Sequence, residues 1–93
     1  IPQYQEYKKR AYDFRAQSDL RNVAVAEEAY YLRFEKYLSC TNQQCSALDG
    51  ISSLSKGVEL EVNATPGGFI GTAHHSLGTG RVFVWNSNKG GFN

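Results

Sequence analysis

The sequence predicts an α+β fold, a long N-terminal α-helix packed on a small antiparallel β-sheet of about three strands. Apolar residues recur at helical spacing throughout residues 1–38, where each residue turns an α-helix by ~100°. Residues 58–62 alternate strictly between apolar and acidic side chains, which is typical of a strand with one buried face. We expect one domain, with a helix over 1–38, a loop over 39–55, a three-stranded meander over 56–86 and a tail over 87–93.

The predicted helix carries apolar residues on two opposite faces. The face expected to pack on the sheet comprises Leu20, Val23, Ala24, Tyr30, Tyr31, Phe34, Tyr37 and Leu38. The opposite set, here called the outer stripe, comprises Tyr4, Tyr7, Ala11, Phe14, Val25, Ala29 and Leu32. The 55 residues after Leu38 are too few to wrap both sides of a rod ~57 Å long. The outer stripe is therefore predicted to bind a partner outside this chain, the alternative being scattered exposed apolar residues.

Glu27 departs from this pattern, because its angular position lies in the middle of the face that should meet the sheet. A buried carboxylate needs hydrogen bonds or a cation. Unless this face is open to water there, the expected partners are a tyrosine hydroxyl, Trp85, a histidine or backbone N–H groups of the following loop. On the solvated side, Arg15 and Asp19 are expected to pair at i, i+4.

Charge is concentrated in the helix, and only six charged residues follow Leu38. The formal net charge of +1 argues against a general polyanion binder, and the run Lys8-Lys9-Arg10 is short and interleaved with acids. The remainder is rich in Gly, Ser, Thr and Asn, a composition that suits an exposed sheet outside the cytoplasm. No signal peptide or membrane span is present in these residues.

Cys40 and Cys45, with four residues between them, are predicted to form a disulfide in an oxidising compartment. Free thiols are an alternative. Zinc binding by the two cysteines is a further alternative, but no other ligand residues occur at the spacing of a zinc site.

After the cysteine-containing loop, Phe69–Ser76 and Arg81–Asn86 are predicted to be the second and third strands. Either Val82 and Val84 or Phe83 and Trp85 face the helix, and the pattern does not decide between them. Residues 87–93 form a polar, Gly-rich tail that is expected to be mobile unless it docks.

No residue pattern indicates catalysis, so the chain is not expected to be an enzyme and no cofactor or metal is implied. Glu59 and Glu61 share the solvated face of a strand and lack a pocket. His74 and His75 point to opposite faces, so one is expected to be packed and the other solvated. Asn63-Ala64-Thr65 matches a glycosylation acceptor by letter alone.

The long helix with a spare apolar face, followed by a loop and a small sheet, resembles the type IVa pilins and related pseudopilins of bacteria. The residues that carry the resemblance are Ile1-Pro2-Gln3-Tyr4, Ala11-Tyr12, Ser18-Asp19-Leu20, Tyr30-Tyr31, Gly68-Phe69, Ala73-His74-His75-Ser76 and Gly78. They span almost the whole chain, and the helical motifs are the more specific.

This resemblance implies a structural subunit that polymerises with other pilin subunits into an extracellular filament used in adhesion, twitching motility or DNA uptake. The outer stripe would be the assembly surface. Inner-membrane pilus assembly machinery would be a partner. Anchoring before assembly would need a hydrophobic segment upstream of Ile1 that these residues lack, so we expect a pilin fragment or processed product.

Two features depart from the type IVa pattern. Both cysteines lie between helix and sheet, whereas many of these pilins close a C-terminal loop with a disulfide, and Glu27 occupies a position expected to be apolar. The alternatives are a minor pilin or a type II secretion pseudopilin. A DNA-binding module using the basic helix and its tyrosines is disfavoured by the small net charge.

Overall fold

The computed structural model describes residues 2–51 and 53–92, with side chains described from Tyr4 onward. One α-helix, α1 (Pro2–Phe34), leads into a five-stranded antiparallel sheet, so the predicted α+β class is confirmed. The helix ends four residues before the predicted Leu38. Glu35 adopts a positive φ of 58°, and its N–H donates to the carbonyl of Tyr31. This left-handed residue ends the helix. Ile1 lies outside the described residues.

The sheet has strands β1 (Cys40–Thr41), β2 (Val58–Thr65), β3 (Gly68–His75), β4 (Phe83–Asn86) and β5 (Gly91–Phe92). They follow one another across the sheet in chain order, and every neighbouring pair is antiparallel. The predicted count of about three strands was too low. The meander β2–β3–β4 was predicted, whereas the two flanking strands have two residues each and offer no alternation to recognise.

The hairpin of β2 and β3 is the centre of the sheet. Its register runs from Val58 opposite His75 to Thr65 opposite Gly68, and the turn between them contains the predicted Pro-Gly pair. On the side of β2 that faces β1, the N–H of Leu60 donates to Oδ1 of Asn42 at 2.8 Å. The N–H of Ala64 donates to Oγ of Ser39 at 2.9 Å.

The core lies between α1 and the inner face of the sheet. Leu20, Val23 and Ala24 of α1 are buried with side chains from three strands, namely Val58, Leu60, Val62, Phe69, Ala73 and Phe83. Phe83 is buried and Trp85 packs on the same core, so this pair, rather than Val82 and Val84, faces the helix. β3 passes close to α1 at Gly71, where a Cβ would lie 2.8 Å from Cδ1 of Leu20.

Two aspartates of α1 hold the loops of the sheet. Asp13 is buried, and its carboxylate accepts hydrogen bonds from the Thr79 N–H at 3.1 Å and the Thr79 hydroxyl at 2.6 Å. Asp19 accepts the N–H of Ser55 at 2.8 Å and its hydroxyl at 3.2 Å. The predicted role of Asp19 as the partner of Arg15 is wrong, because its carboxylate faces the loop.

The C-terminal segment is docked through β5. Phe92 meets Trp85 edge to face with ring centroids 5.0 Å apart, and it packs against the core. The tail, which the sequence predicts to be mobile unless it docks, is therefore docked at Gly91 and Phe92, while Asn93 lies outside the described residues.

Candidate assembly surface

All seven residues of the outer stripe are exposed to solvent. The exposed fraction reaches 73% for Tyr7, 71% for Phe14 and 86% for Leu32. The stripe follows one side of α1 while the sheet covers the other, because Leu20, Val23 and Ala24 take the buried positions. From Tyr4 to Leu32 the stripe extends about 42 Å along the helix axis. It is an elongated surface on a molecule of 50 × 26 × 15 Å.

The stripe repeats with the period of a coiled-coil seam. Residues 4, 11, 18, 25 and 32 recur every seven residues, and Tyr7 and Phe14 occupy the positions three residues further on. Between Phe14 and Val25 the surface is polar, with exposed Ser18, Arg21 and Asn22. The stripe therefore has two apolar parts with a polar segment between them, all in one helical phase.

The N-terminal part of the stripe lies on an uncovered arm, defined here as Tyr4–Ala11. Every side chain of the arm is exposed. The next residue, Tyr12, is the first with an aromatic contact to the sheet, its ring centroid lying 4.4 Å from that of His75. Nζ of Lys8 lies 5.3 Å from the ring centroid of Tyr4. The arm thus presents tyrosine and lysine side chains together.

The C-terminal part of the stripe forms one wall of a groove, here called the loop groove, of about 510 Å³ between α1 and the loop after Leu48. Its apolar lining comes from Val25, Ala26 and Ala29 on the helix and from Ile51 and Leu54 on the loop. Its polar lining comes from Asp19, Arg21, Asn22, Asp49 and Ser53. Asp49 is exposed, and its Oδ2 lies 3.4 Å from Nη1 of Arg33.

The inward face of the helix was predicted only in part. Leu20, Val23 and Ala24 are buried, and Tyr30, Tyr37 and Leu38 are half-buried. Tyr31 and Phe34, predicted to face the sheet, are exposed. Tyr31 stacks on Tyr37 and Phe34 packs on Tyr30, with centroid distances of 4.7 and 4.6 Å. Tyr31 and Phe34 therefore reach the core only indirectly, through the rings of Tyr37 and Tyr30, which pack against it.

Glu27 is completely buried, as its angular position on the helix indicated. Its Oε1 accepts the N–H of Leu38 at 2.8 Å, so of the partners considered from the sequence the backbone of the following segment supplies the hydrogen bond. Its Oε2 has no hydrogen-bond partner among the described residues. Burial raises the pKa of Glu27 from 4.5 to about 7, opposed by the Leu38 hydrogen bond and reinforced by the charge of Glu28.

The predicted disulfide between Cys40 and Cys45 is confirmed. It joins β1 to the 3₁₀ helix Asn42–Ala47, and both half-cystines are buried. The bond thereby holds the start of the sheet against the segment that precedes the loop groove.

His75 is buried and His74 is half-exposed, as expected for neighbours on a strand. Nε2 of His75 lies 3.0 Å from the carbonyl of Lys56, and Nδ1 accepts the N–H of Leu77 at 3.0 Å. The ring therefore donates through Nε2 and is used in packing. Glu59 lies on the outer face of the sheet, where it accepts a hydrogen bond from the Asn42 amide at 3.0 Å.

In the part of the chain that the structure describes, no group of three or more His, Cys, Asp or Glu side chains is placed to hold a metal ion. Within residues 2–51 and 53–92, no helix combines the length and hydropathy needed to cross a membrane.

No protein-family model matches the chain, and no curated protein matches it.

Proposed function

We propose that this chain is a structural subunit of a type IV pilus-like extracellular filament, and that it polymerises through the outer stripe of α1. The observation that carries the proposal is the exposure of all seven stripe residues along one side of a 33-residue helix. The sheet covers only the opposite side of α1. A subunit built in this way can pack helix against helix while its sheet faces outward.

The size of the stripe supports an interface between protein chains. Each large apolar side chain that leaves water contributes about 1.5–3 kcal/mol, and the stripe offers five such residues, Tyr4, Tyr7, Phe14, Val25 and Leu32. Association costs several kcal/mol in lost translational and rotational freedom. Contact through a single part of the stripe is therefore weak, and many repeated contacts along a filament suit such a surface.

The other half of the molecule suits the outside of a filament. Its outer sheet face presents polar side chains such as Glu61 and Asn63, and the disulfide is compatible with an oxidising extracellular compartment. By resemblance to the pilins, the subunit would reside in the inner membrane before assembly and would be handled there by the pilus assembly machinery.

The direct test is mass spectrometry of filaments sheared from the producing cells, with intact masses and N-terminal peptides. We expect the chain to be abundant in the filament fraction and to carry about 20 apolar residues before Ile1, which is enough to cross a bilayer. A native protein that starts near Ile1 and is absent from filaments would contradict the proposal. Low abundance without long fibres would instead indicate a minor pilin or pseudopilin.

A second test addresses the stripe itself. Phe14→Asp places a charge on the proposed interface, and Val82→Asp places the same charge on an apolar residue, 52% exposed, outside the stripe. We expect Phe14→Asp to abolish surface filaments and Val82→Asp to leave them intact, with both purified domains retaining the wild-type circular dichroism spectrum. Normal filaments from Phe14→Asp cells would contradict the assigned surface.

A further inference from the structure

We propose that the arm of one subunit, Tyr4–Ala11, docks in the loop groove of a second copy of this chain. The inference rests on the proposed function and specifies which parts of the outer stripe meet. The arm has no buried side chain of its own, and the loop groove is an open cleft with an apolar helix wall and an apolar loop wall.

The helical phase of the stripe permits this contact. Tyr4 and Val25 are separated by 21 residues, as are Ala11 and Leu32. A parallel helix displaced by three heptads, about 32 Å, therefore places Tyr4 of one copy beside Val25 of the next on the same seam. At the same displacement Tyr7 comes level with Glu28, one residue before Ala29 in the wall of the loop groove.

The charges of the two surfaces are complementary. The arm contains three basic residues, Lys8, Lys9 and Arg10, against one acidic residue, Glu6. The loop groove contains two carboxylates, Asp19 and Asp49, against Arg21, and Asp49 also forms an exposed ion pair with Arg33 at 3.4 Å. Both Asp49 and the basic side chains of the arm are exposed, so the charges can steer association and fix the register.

The contact also leaves both surfaces available for further copies. The arm of the second copy and the groove of the first remain uncovered when one arm enters one groove. Such a heterologous contact repeats without closing when the helices are parallel and produces a filament. An antiparallel pair would close after two contacts and stop growth.

The test is photo-crosslinking from the arm. A p-benzoylphenylalanine side chain introduced at Tyr7 is activated in filaments on the cells and in the purified chain at high concentration. Cross-linked peptides are then mapped by mass spectrometry. We expect cross-links between copies at residues 25–29 and 49–54. The same probe at Val82, outside the stripe, is expected to give no cross-links to these residues.

Charge reversal tests the register independently. Lys8→Glu combined with Lys9→Glu should lower the cross-link yield by about an order of magnitude, and the further change Asp49→Lys should restore most of it. Glu61→Lys, on the outer face of the sheet, is the matched control and should restore nothing. Equal yields from the Asp49→Lys and Glu61→Lys combinations would overturn the assigned register.

The outcomes separate the docking contact from the filament function. Cross-links to the loop groove in filaments support both. Filaments whose cross-links map to the sheet, or contain none, overturn the docking contact and leave the filament function in place. Groove cross-links in the purified chain, without filaments on the cells, support the docking contact and contradict the filament function. Absence of cross-links in both samples overturns the docking contact.

Discussion

The Leu38 N–H donates to Oε1 of Glu27 at 2.8 Å, so the segment that leaves α1 is bonded to a carboxyl group at the centre of the helix–sheet interface. Leu38 follows the left-handed residue that ends the helix, and it precedes the first disulfide cysteine by two positions. The buried carboxyl therefore helps to set the path of the chain from helix to sheet.

This buried group makes stability depend on pH. Because the folded-state pKa of about 7 lies above the ordinary value of 4.5, the stabilisation is complete below pH 4.5 and is lost as pH rises through 7. A pKa difference of this size corresponds to about 3 kcal/mol. We expect the free energy of unfolding, measured by urea denaturation, to be lower by roughly that amount at pH 8 than at pH 4.5.

Glu27→Gln should remove most of this pH dependence, since the amide keeps an acceptor for the Leu38 N–H and does not ionise. Glu61→Gln, an exposed carboxyl on the sheet, is the control and should retain the wild-type pH profile. A wild-type protein equally stable at both pH values would show that the Glu27 carboxylate is solvated in the folded state.

Reduction of the Cys40–Cys45 disulfide should destabilise the domain by about 2 kcal/mol, the loop-entropy value for so short a closed loop. Thermal unfolding with and without reductant measures the loss. A variant with both cysteines changed to serine should unfold at a lower temperature than wild type and should not respond to reductant. An unchanged wild-type midpoint in reductant would argue against a stabilising role.

Gly57 and Gly50 offer a matched pair for separating backbone strain from steric conflict. Both have positive φ, 91° and 90°, but a Cβ at Gly57 would lie 2.6 Å from Cε1 of His75, whereas nothing lies within 4 Å at Gly50. Gly50→Ala should cost about 1 kcal/mol from the left-handed backbone. Gly57→Ala should cost about 2 kcal/mol more, because His75 must move away from its bonds to Lys56 and Leu77. Equal losses in chemical denaturation would mean that the ring yields freely.

The hydrogen bonds between Asp13 and Thr79 should give a measurable coupling energy between substitutions at the two residues. Asp13→Ala leaves the Thr79 N–H without its acceptor and should cost about 1–3 kcal/mol. A double-mutant cycle with Thr79→Ala isolates the side-chain bond, for which we expect a coupling energy of at least about 0.5 kcal/mol. As a control, the losses in unfolding free energy caused by Arg15→Ala and Thr79→Ala should be additive.

Substitutions in the outer stripe should affect the stability of the isolated domain much less than substitutions in the core. Leu32→Ala should change the free energy of unfolding by less than about 0.5 kcal/mol, because its side chain is 86% exposed. Leu20→Ala removes a completely buried side chain and should cost about 2–5 kcal/mol. A large loss from Leu32→Ala would mean that the stripe is covered within the folded monomer.

The sequence predicted those parts of the fold that repeat over many residues. Helical spacing placed Leu20 and Val23 inside and Phe14 outside, and strict alternation placed Leu60 and Val62 on the buried face of β2. Short elements carry no such period, which is why β1 and β5 were missed and the helix was extended to Leu38.

Contacts between residues far apart in the chain could not be predicted from the sequence pattern. Asp13 and Asp19 have the character of solvated helix charges, and only the folded chain brings Thr79 and Ser55 to them. The loop groove was missed for the same reason, since one wall comes from α1 and the other from residues 49–51, 53 and 54.

The side chains of Ser39 and Asn42 protect one edge of the sheet against pairing with a strand from another molecule. They occupy the N–H groups of Ala64 and Leu60, which an incoming strand would otherwise use to extend the sheet. The two-residue strand β1 covers part of the remaining edge. Copies crowded together are thereby hindered from joining strand to strand at this edge, which favours ordered contacts through the helix over amyloid-like stacking.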